Sequence, residues 1–186
     1  MPSNTVGLVV LAAVVVLAAV AVWIVLQRRR TKILQARFGP EYSRTVRKAG
    51  DTHRAETLLT KRVERVEKLT IHPLSPEDSD RFSRAWAELQ KRFVDSPEQS
   101  VIEADRLVRD VMVARGYPMA DFDRRAEDIS VHYPHVVKNY RAARIVAERS
   151  HAHQATTEEL RQAVVSYRSL FDELLEPAEP AKRRIG

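Results

Sequence analysis

The chain has 186 residues, no cysteine, and 31 Lys and Arg against 25 Asp and Glu, a formal net charge of +6. Without cysteine there is no disulfide, thiolate nucleophile, iron–sulfur cluster, cysteine zinc site or cysteine-linked lipoprotein anchor. Only five glycines, with Ala, Arg, Glu and Leu abundant beyond residue 30, favour helix throughout, and the length admits one anchor and one modest domain.

All the charged side chains lie after Gln27, and the run VGLVVLAAVVVLAAVAVWIVL from Val6 to Leu26 is 21 residues without a charge. As a helix it is about 31 Å long, which matches a hydrocarbon core of roughly 30 Å. Trp23 sits near its C-terminal end, where an indole favours the interface. Arg28, Arg29, Arg30 and Lys32 follow and are expected to contact anionic lipid headgroups. The preceding MPSNT holds no basic side chain. The positive-inside bias then puts the N-terminus outside and everything after the span in the cytoplasm, with residues 1–27 as an anchor in the cell inner (plasma) membrane. The rival is a cleaved signal peptide, for which Ala19-Val20-Ala21 resembles a cleavage site. Such peptides have a basic start and a shorter apolar core, and neither is found here. Ala12, Ala13, Ala18, Ala19 and Ala21 without a GxxxG suit a lipid-facing helix better than a dimer seam.

Residues 28–74 read as a basic helical juxtamembrane stalk and linker. From Arg28 to Lys68 there are 13 basic and 5 acidic residues, net +8; from Leu69 to Leu175 there are 15 and 18, net −3. The cationic excess therefore faces the membrane, and no nucleic-acid partner is expected. Gly39-Pro40 breaks the helix leaving the membrane. Pro40 opens a short helix through Lys48 that Gly50 ends. Asp51 caps a further helix to about Leu69, with Ala55, Leu59, Val63, Val66 and Leu69 as its apolar stripe.

Residues 75–175 read as a helical bundle domain. Ser75, Pro76 and Asp78 start a helix whose stripe is Phe82, Trp86, Leu89 and Phe93. Ser96-Pro97-Glu98 starts the next by the same device, through Val101, Ala104, Val108 and Val111 to a stop at Gly116. A shorter helix spans about Ala120 to Ile129. Pro134 begins another, with Val136, Tyr140, Ala143 and Ala147 on one face. Thr156 or Thr157 caps the last, along Leu160, Val164, Tyr167, Phe171 and Leu174. Phe82, Trp86, Phe93, Tyr140, Tyr167 and Phe171 are the expected core anchors. Residues 176–186 read as a disordered tail.

Five stretches carry a resemblance: RFGPEYSRTV from Arg37, VEKLTIHPLSPED from Val66, EADRLVRDVMVARGYP from Glu103, VVKNYRAA from Val136 and TEELRQAVVSYRSLFDELL from Thr157. Together they resemble an uncharacterised family of bacterial single-pass membrane proteins with a helical soluble domain. The resemblance implies the architecture and no activity.

Of six histidines, His132, His135, His151 and His153 cluster in sequence, and the expectation is solvated loop histidines rather than a metal site, which needs three or four convergent ligands. Asp121, Asp123, Glu127 and Asp128 crowd one short helix without EF-hand spacing, and are expected to pair with Arg124 and Arg125. Arg115-Gly116-Tyr117-Pro118 reads as a helix C-cap with a tyrosine folded back on the core, the alternative being an exposed recognition turn. No P-loop, GxGxxG, G-x-S-x-G or HExxH is present.

The expected fold is all-α: one N-terminal transmembrane helix, a helical juxtamembrane stalk and an antiparallel helical bundle. The expected function is a membrane-anchored, non-enzymatic interaction or adaptor protein. It binds membrane lipids through the anchor and stalk, and an unidentified protein partner, with no cofactor and no catalytic residue. The alternatives are an enzyme whose site is assembled from scattered residues, and an extracytoplasmic helical domain released by signal cleavage.

Overall fold

The computed structural model describes residues 3–176, and among them it contains eight α-helices and no strand. The all-α expectation holds. The tail expected at 176–186 lies, apart from Glu176, outside the described residues. By its contacts the chain divides into two compact units, Met1–Arg37 and Phe38–Gly186.

The first unit is almost wholly helix α1, Ser3–Phe38. The stretch Leu11–Phe38 is long and apolar enough to cross a membrane, and its most apolar window has no buried part. Leu17 is 68% and Trp23 62% exposed, which in water leaves a large apolar surface uncovered. The helix does not stop where the apolar run stops. It carries Arg28, Arg29, Arg30 and Lys32 onward to Phe38. Gly39, at φ 47°, then breaks it and serves as N-cap of α2, with Pro40 at the first helical position.

Among its described residues the second unit holds seven helices: α2 Pro40–Ala49, α3 Thr52–Val66, α4 Pro76–Arg92, α5 Pro97–Ala114, α6 Phe122–His132, α7 Pro134–Ser150 and α8 Thr157–Leu175. The boundaries follow local chemistry. Gly50 ends α2 in the left-handed region. Asp51 accepts the Arg54 N–H at 2.7 Å, and Ser75 accepts that of Asp78 at 3.0 Å. Thr156 and Glu159 form a reciprocal capping box at the start of α8. Ser96 departs from expectation. Its side chain caps nothing; its carbonyl instead accepts the Ser100 hydroxyl at 2.9 Å. Helix α6 is shifted toward the C-terminus relative to the sequence reading, because Asp121 is its capping residue and accepts the Arg124 N–H.

The core lies among α4, α5, α7 and α8. Trp86 lies tilted on Phe171 with ring centroids 4.6 Å apart, and Tyr140 meets Tyr167 edge-on at 6.0 Å. Of the expected anchors, only Phe93 stays partly buried at the rim.

One boundary differs. The sequence reads residues 28–74 as stalk and linker and the folded domain as starting at Ser75, whereas the compact unit begins at Phe38. α3 packs on α6 and α2 on α7, burying Phe38, Tyr42, Ala55, Leu59 and Val66. The α3 stripe is legible in the sequence. That of α2 is not, because its buried face carries Glu41 and Thr45 alongside Tyr42.

Candidate functional site

The densest concentration of buried charge joins α2 and α3 to α6 and α7. The Glu41 carboxylate, on α2, accepts from Arg141 Nη2 at 3.1 Å and lies 3.5 Å from Arg62 Nη1 and 3.9 Å from Arg44. Arg62, on α3, donates to Ser130 Oγ at 3.0 Å and pairs with Glu127 at 3.4 Å. Arg65 directs Nε and Nη2 to the same Asp128 oxygen, at 2.9 and 2.7 Å. Arg141 also reaches Asp123 at 3.2 Å, and the Tyr42 hydroxyl donates to Glu56 at 3.0 Å. Burial holds the Arg62 guanidinium below its ordinary pKa, against the opposing pull of Glu127 and Glu41. Such a cluster is stable only because each buried charge has partners on neighbouring helices. Its carboxylates are committed to arginines, so chemically it is an interhelical fastening.

This network also corrects the reading of the α6 acids. Arg124 approaches only Glu127, at 3.9 Å, and Arg125 turns away to the Ala120 carbonyl. The main partners of Asp123, Glu127 and Asp128 are Arg62, Arg65 and Arg141, contributed from far along the chain, while Asp121 is a helix cap. Glu41, Arg62 and Arg141 carry no sequence signal beyond falling on helix faces that are otherwise buried.

A second polar node surrounds Asp105, buried on α5. It accepts from Tyr167 at 3.1 Å and lies 3.3 Å from Arg109 and 3.4 Å from Arg144. Burial first, then the Asp105 charge, pushes the Tyr167 phenol well above the usual tyrosine range.

Arg115 forms a third node. It is fully buried and donates to the Tyr133 hydroxyl and the Leu174 carbonyl, both at 2.9 Å, and to the His72 carbonyl at 3.3 Å. The carbonyl end of α8 carries partial negative charge, which suits a guanidinium. Gly116 follows at φ 90°, and a Cβ there would stand 2.3 Å from the Thr70 carbonyl oxygen. Tyr117 is 3% exposed, and its hydroxyl lies 3.0 Å from His132 Nδ1. Burial raises the Tyr117 phenol above its ordinary range. The Arg115–Pro118 turn is thus a helix C-cap with its tyrosine folded back on the core, as its sequence suggests.

The four clustered histidines go separate ways. His132 meets Tyr117, His135 meets Glu173 at 2.7 Å, His153 meets Glu98 at 2.9 Å, and His151 lies exposed at the end of α7. Among the described residues no three His, Asp or Glu side chains are grouped to hold a metal ion. Arg28, Arg29, Arg30 and Lys32 are exposed on α1, spread around the helix. Two open grooves mark the second unit: one of about 160 Å³ beside Phe93 and Val164, and one of about 560 Å³ lined by Phe82, Val113, Ala114 and Met119 with Arg81 and Asp110 at its edge.

Comparison with protein-family models, with curated proteins and with solved structures gives no match for this chain.

Proposed function

We propose that the chain is a membrane-anchored, non-enzymatic interaction protein. α1 spans the inner (plasma) membrane with its N-terminus outside, and the helical unit from Phe38 onward works in the cytoplasm and binds a protein partner. The observation that carries this reading is α1 itself. The most apolar window of its span is uncovered, and a helix of that length and composition finds its covering in a bilayer. Arg28, Arg29, Arg30 and Lys32 then sit at the inner headgroup level and fix the orientation. The partner role draws on the second unit, whose buried carboxylates serve as fastenings between helices and whose open apolar groove between α4 and α5 is built for contact rather than enclosure.

Membranes from cells making the full chain, washed at alkaline pH, test the anchor, and a periplasm-active reporter fused after Gly186 tests the orientation. The expected result is retention in the pellet and a silent reporter. Release into the wash overturns the anchor. An active reporter overturns the cytoplasmic placement, and the same reporter with a shortened N-terminus by mass spectrometry establishes signal cleavage instead.

A further inference from the structure

The basic side chains of the second unit are not distributed as its net charge suggests. Among the described residues beyond Leu69, nine Lys and Arg side chains are exposed; seven of them lie no more than 3.9 Å from a carboxylate, leaving Arg84 and Lys138. The α2–α3 hairpin is the reverse. Arg47, Lys48, Arg54 and Lys61 are exposed, and none forms an ion pair among the described residues. Arg44 stands 3.9 Å from Glu41, a carboxylate already engaged by Arg62 and Arg141. With Lys68 just beyond α3 the exposed cations number six, against three exposed carboxylates, Asp51, Glu64 and Glu67, and Asp51 is occupied in capping α3.

The hairpin also exposes one large apolar side chain, Leu58, at 46%. On α3, Arg54, Leu58 and Lys61 follow at steps of four and three and share one stripe. That stripe is offset from the buried Ala55, Leu59 and Val66. On α2, Arg44, Arg47 and Lys48 form the corresponding cationic face.

We infer that this hairpin is a second lipid-contacting surface, which binds the anionic headgroups of a bilayer through Arg47, Lys48, Arg54 and Lys61 and inserts Leu58 between them. The inference rests on the anchor reading above and extends it from the linear Arg28–Lys32 cluster to a folded surface. Two observations, together with the way long basic side chains lie at a headgroup layer, favour a bilayer over a nucleic acid. Leu58 sits in the middle of the cationic stripe, where a phosphate backbone offers it nothing and a headgroup layer offers it apolar surface. Long Lys and Arg stems lie along an interface with their charges at phosphate level. Gly39 alone separates α1 from α2 in sequence, so the hairpin is covalently joined to the helix that enters the membrane and meets that membrane at a raised effective concentration. Weak individual contacts suffice under those conditions.

The absence of cysteine makes the test direct. The full chain carrying Leu58→Cys with an environment-sensitive fluorophore is placed in nanodiscs of phosphatidylcholine, with or without phosphatidylglycerol. Val94→Cys, 84% exposed between α4 and α5, serves as the control. With phosphatidylglycerol the Leu58 probe is expected to shift to the blue and to be quenched several-fold less by a water-soluble quencher, while the Val94 probe is unchanged. The shielding is expected to fade at high salt, where the Debye length falls from about 8 Å to about 3 Å. It is also expected to fade in the triple variant Arg47→Glu, Lys48→Glu, Arg54→Glu, whose folding is checked by circular dichroism. The salt arm decides the matter should that variant unfold. Equal quenching in both lipids, with the chain firmly in the disc, overturns the hairpin surface and leaves the anchor intact. Failure to enter the disc at all overturns the anchor reading. Shielding of the Leu58 probe by duplex DNA but not by phosphatidylglycerol replaces the bilayer with a nucleic acid.

Discussion

Arg141 on α7 and Glu41 on α2, 100 positions apart in the chain, meet at 3.1 Å with both side chains almost fully buried. The pair ties the first helix of the second unit to the middle of its core, and Arg62 shares the same carboxylate. Removing one member of a buried ionic cluster leaves its partners charged and unsolvated, at a cost of about 3–5 kcal/mol. Glu41→Leu is therefore expected to lower unfolding free energy by that amount. In the double variant with Arg141→Met the two losses should fall short of additive by about 1 kcal/mol or more. Denaturant unfolding of the two singles and the double checks this. A Glu41→Leu loss below about 1 kcal/mol would show that the cluster is solvated and contributes little.

The same relationship sets where the independent unit begins. A fragment of residues 38–176 keeps Phe38, Leu59 and the arginine network, whereas one of residues 75–176 lacks them and leaves Arg141 and Asp128 without their main partners. Full burial of a Leu or Phe contributes about 1.5–3 kcal/mol, so the shorter fragment should be less stable by on the order of 3 kcal/mol or more. Chemical unfolding with tryptophan fluorescence from Trp86 compares the two directly. Equal midpoints would restore the boundary at Ser75.

Much of this architecture is legible in the sequence because it rests on local chemistry. Gly39-Pro40, Gly50, Ser75-Pro76 and Thr156 mark helix ends through backbone geometry and capping, which act within a few residues. Trp86, Tyr140, Tyr167 and Phe171 announce the core by helical spacing. What stays hidden is long-range and polar. Nothing local distinguishes Arg62 or Arg141, both buried, from Arg161, which is exposed and paired three residues away with Glu158. The placement of α2 depends on those arginines, so a basic segment that reads as a juxtamembrane stalk packs with the helices of the second unit. Proximity in sequence pairs the α6 acids with Arg124 and Arg125, but the short helix turns Glu127 and Asp128 to α3 and Asp123 to α7.

Two glycines with left-handed backbone separate conformational strain from steric conflict. Gly50, at φ 74°, has open space where a Cβ would stand; at Gly116, φ 90°, that Cβ would meet the Thr70 carbonyl oxygen at 2.3 Å. Left-handed backbone costs a non-glycine residue roughly 1–2 kcal/mol. Gly50→Ala should therefore lose about 1 kcal/mol. Gly116→Ala should lose about 3 kcal/mol or more, because the Thr70 backbone must move as well. Denaturant midpoints with unchanged slope make the comparison, and equal losses would mean that the linker before α4 yields freely at Thr70.

Glu159 supplies a pH dependence whose sign follows from its contacts. Its carboxylate accepts the Thr156 N–H at 2.8 Å and pairs with Arg149 at 2.6 Å. The backbone bond first, then Arg149, holds it down at about 2. An unfolded glutamate titrates at about 4.3. The folded pKa is thus the lower one, so the stabilisation is fully present above the unfolded value and disappears as pH falls through the folded one. Glu159→Gln keeps a side chain able to accept from the Thr156 N–H and complete the capping box, but removes the charge that Arg149 meets. Its melting temperature is expected to lie below that of the parent at neutral pH, and the two curves should converge as pH drops from about 5 toward about 2. Differential scanning calorimetry across that range, on the 38–176 fragment, reads both. A gap that stays constant with pH would assign the loss to packing of the cap rather than to its charge.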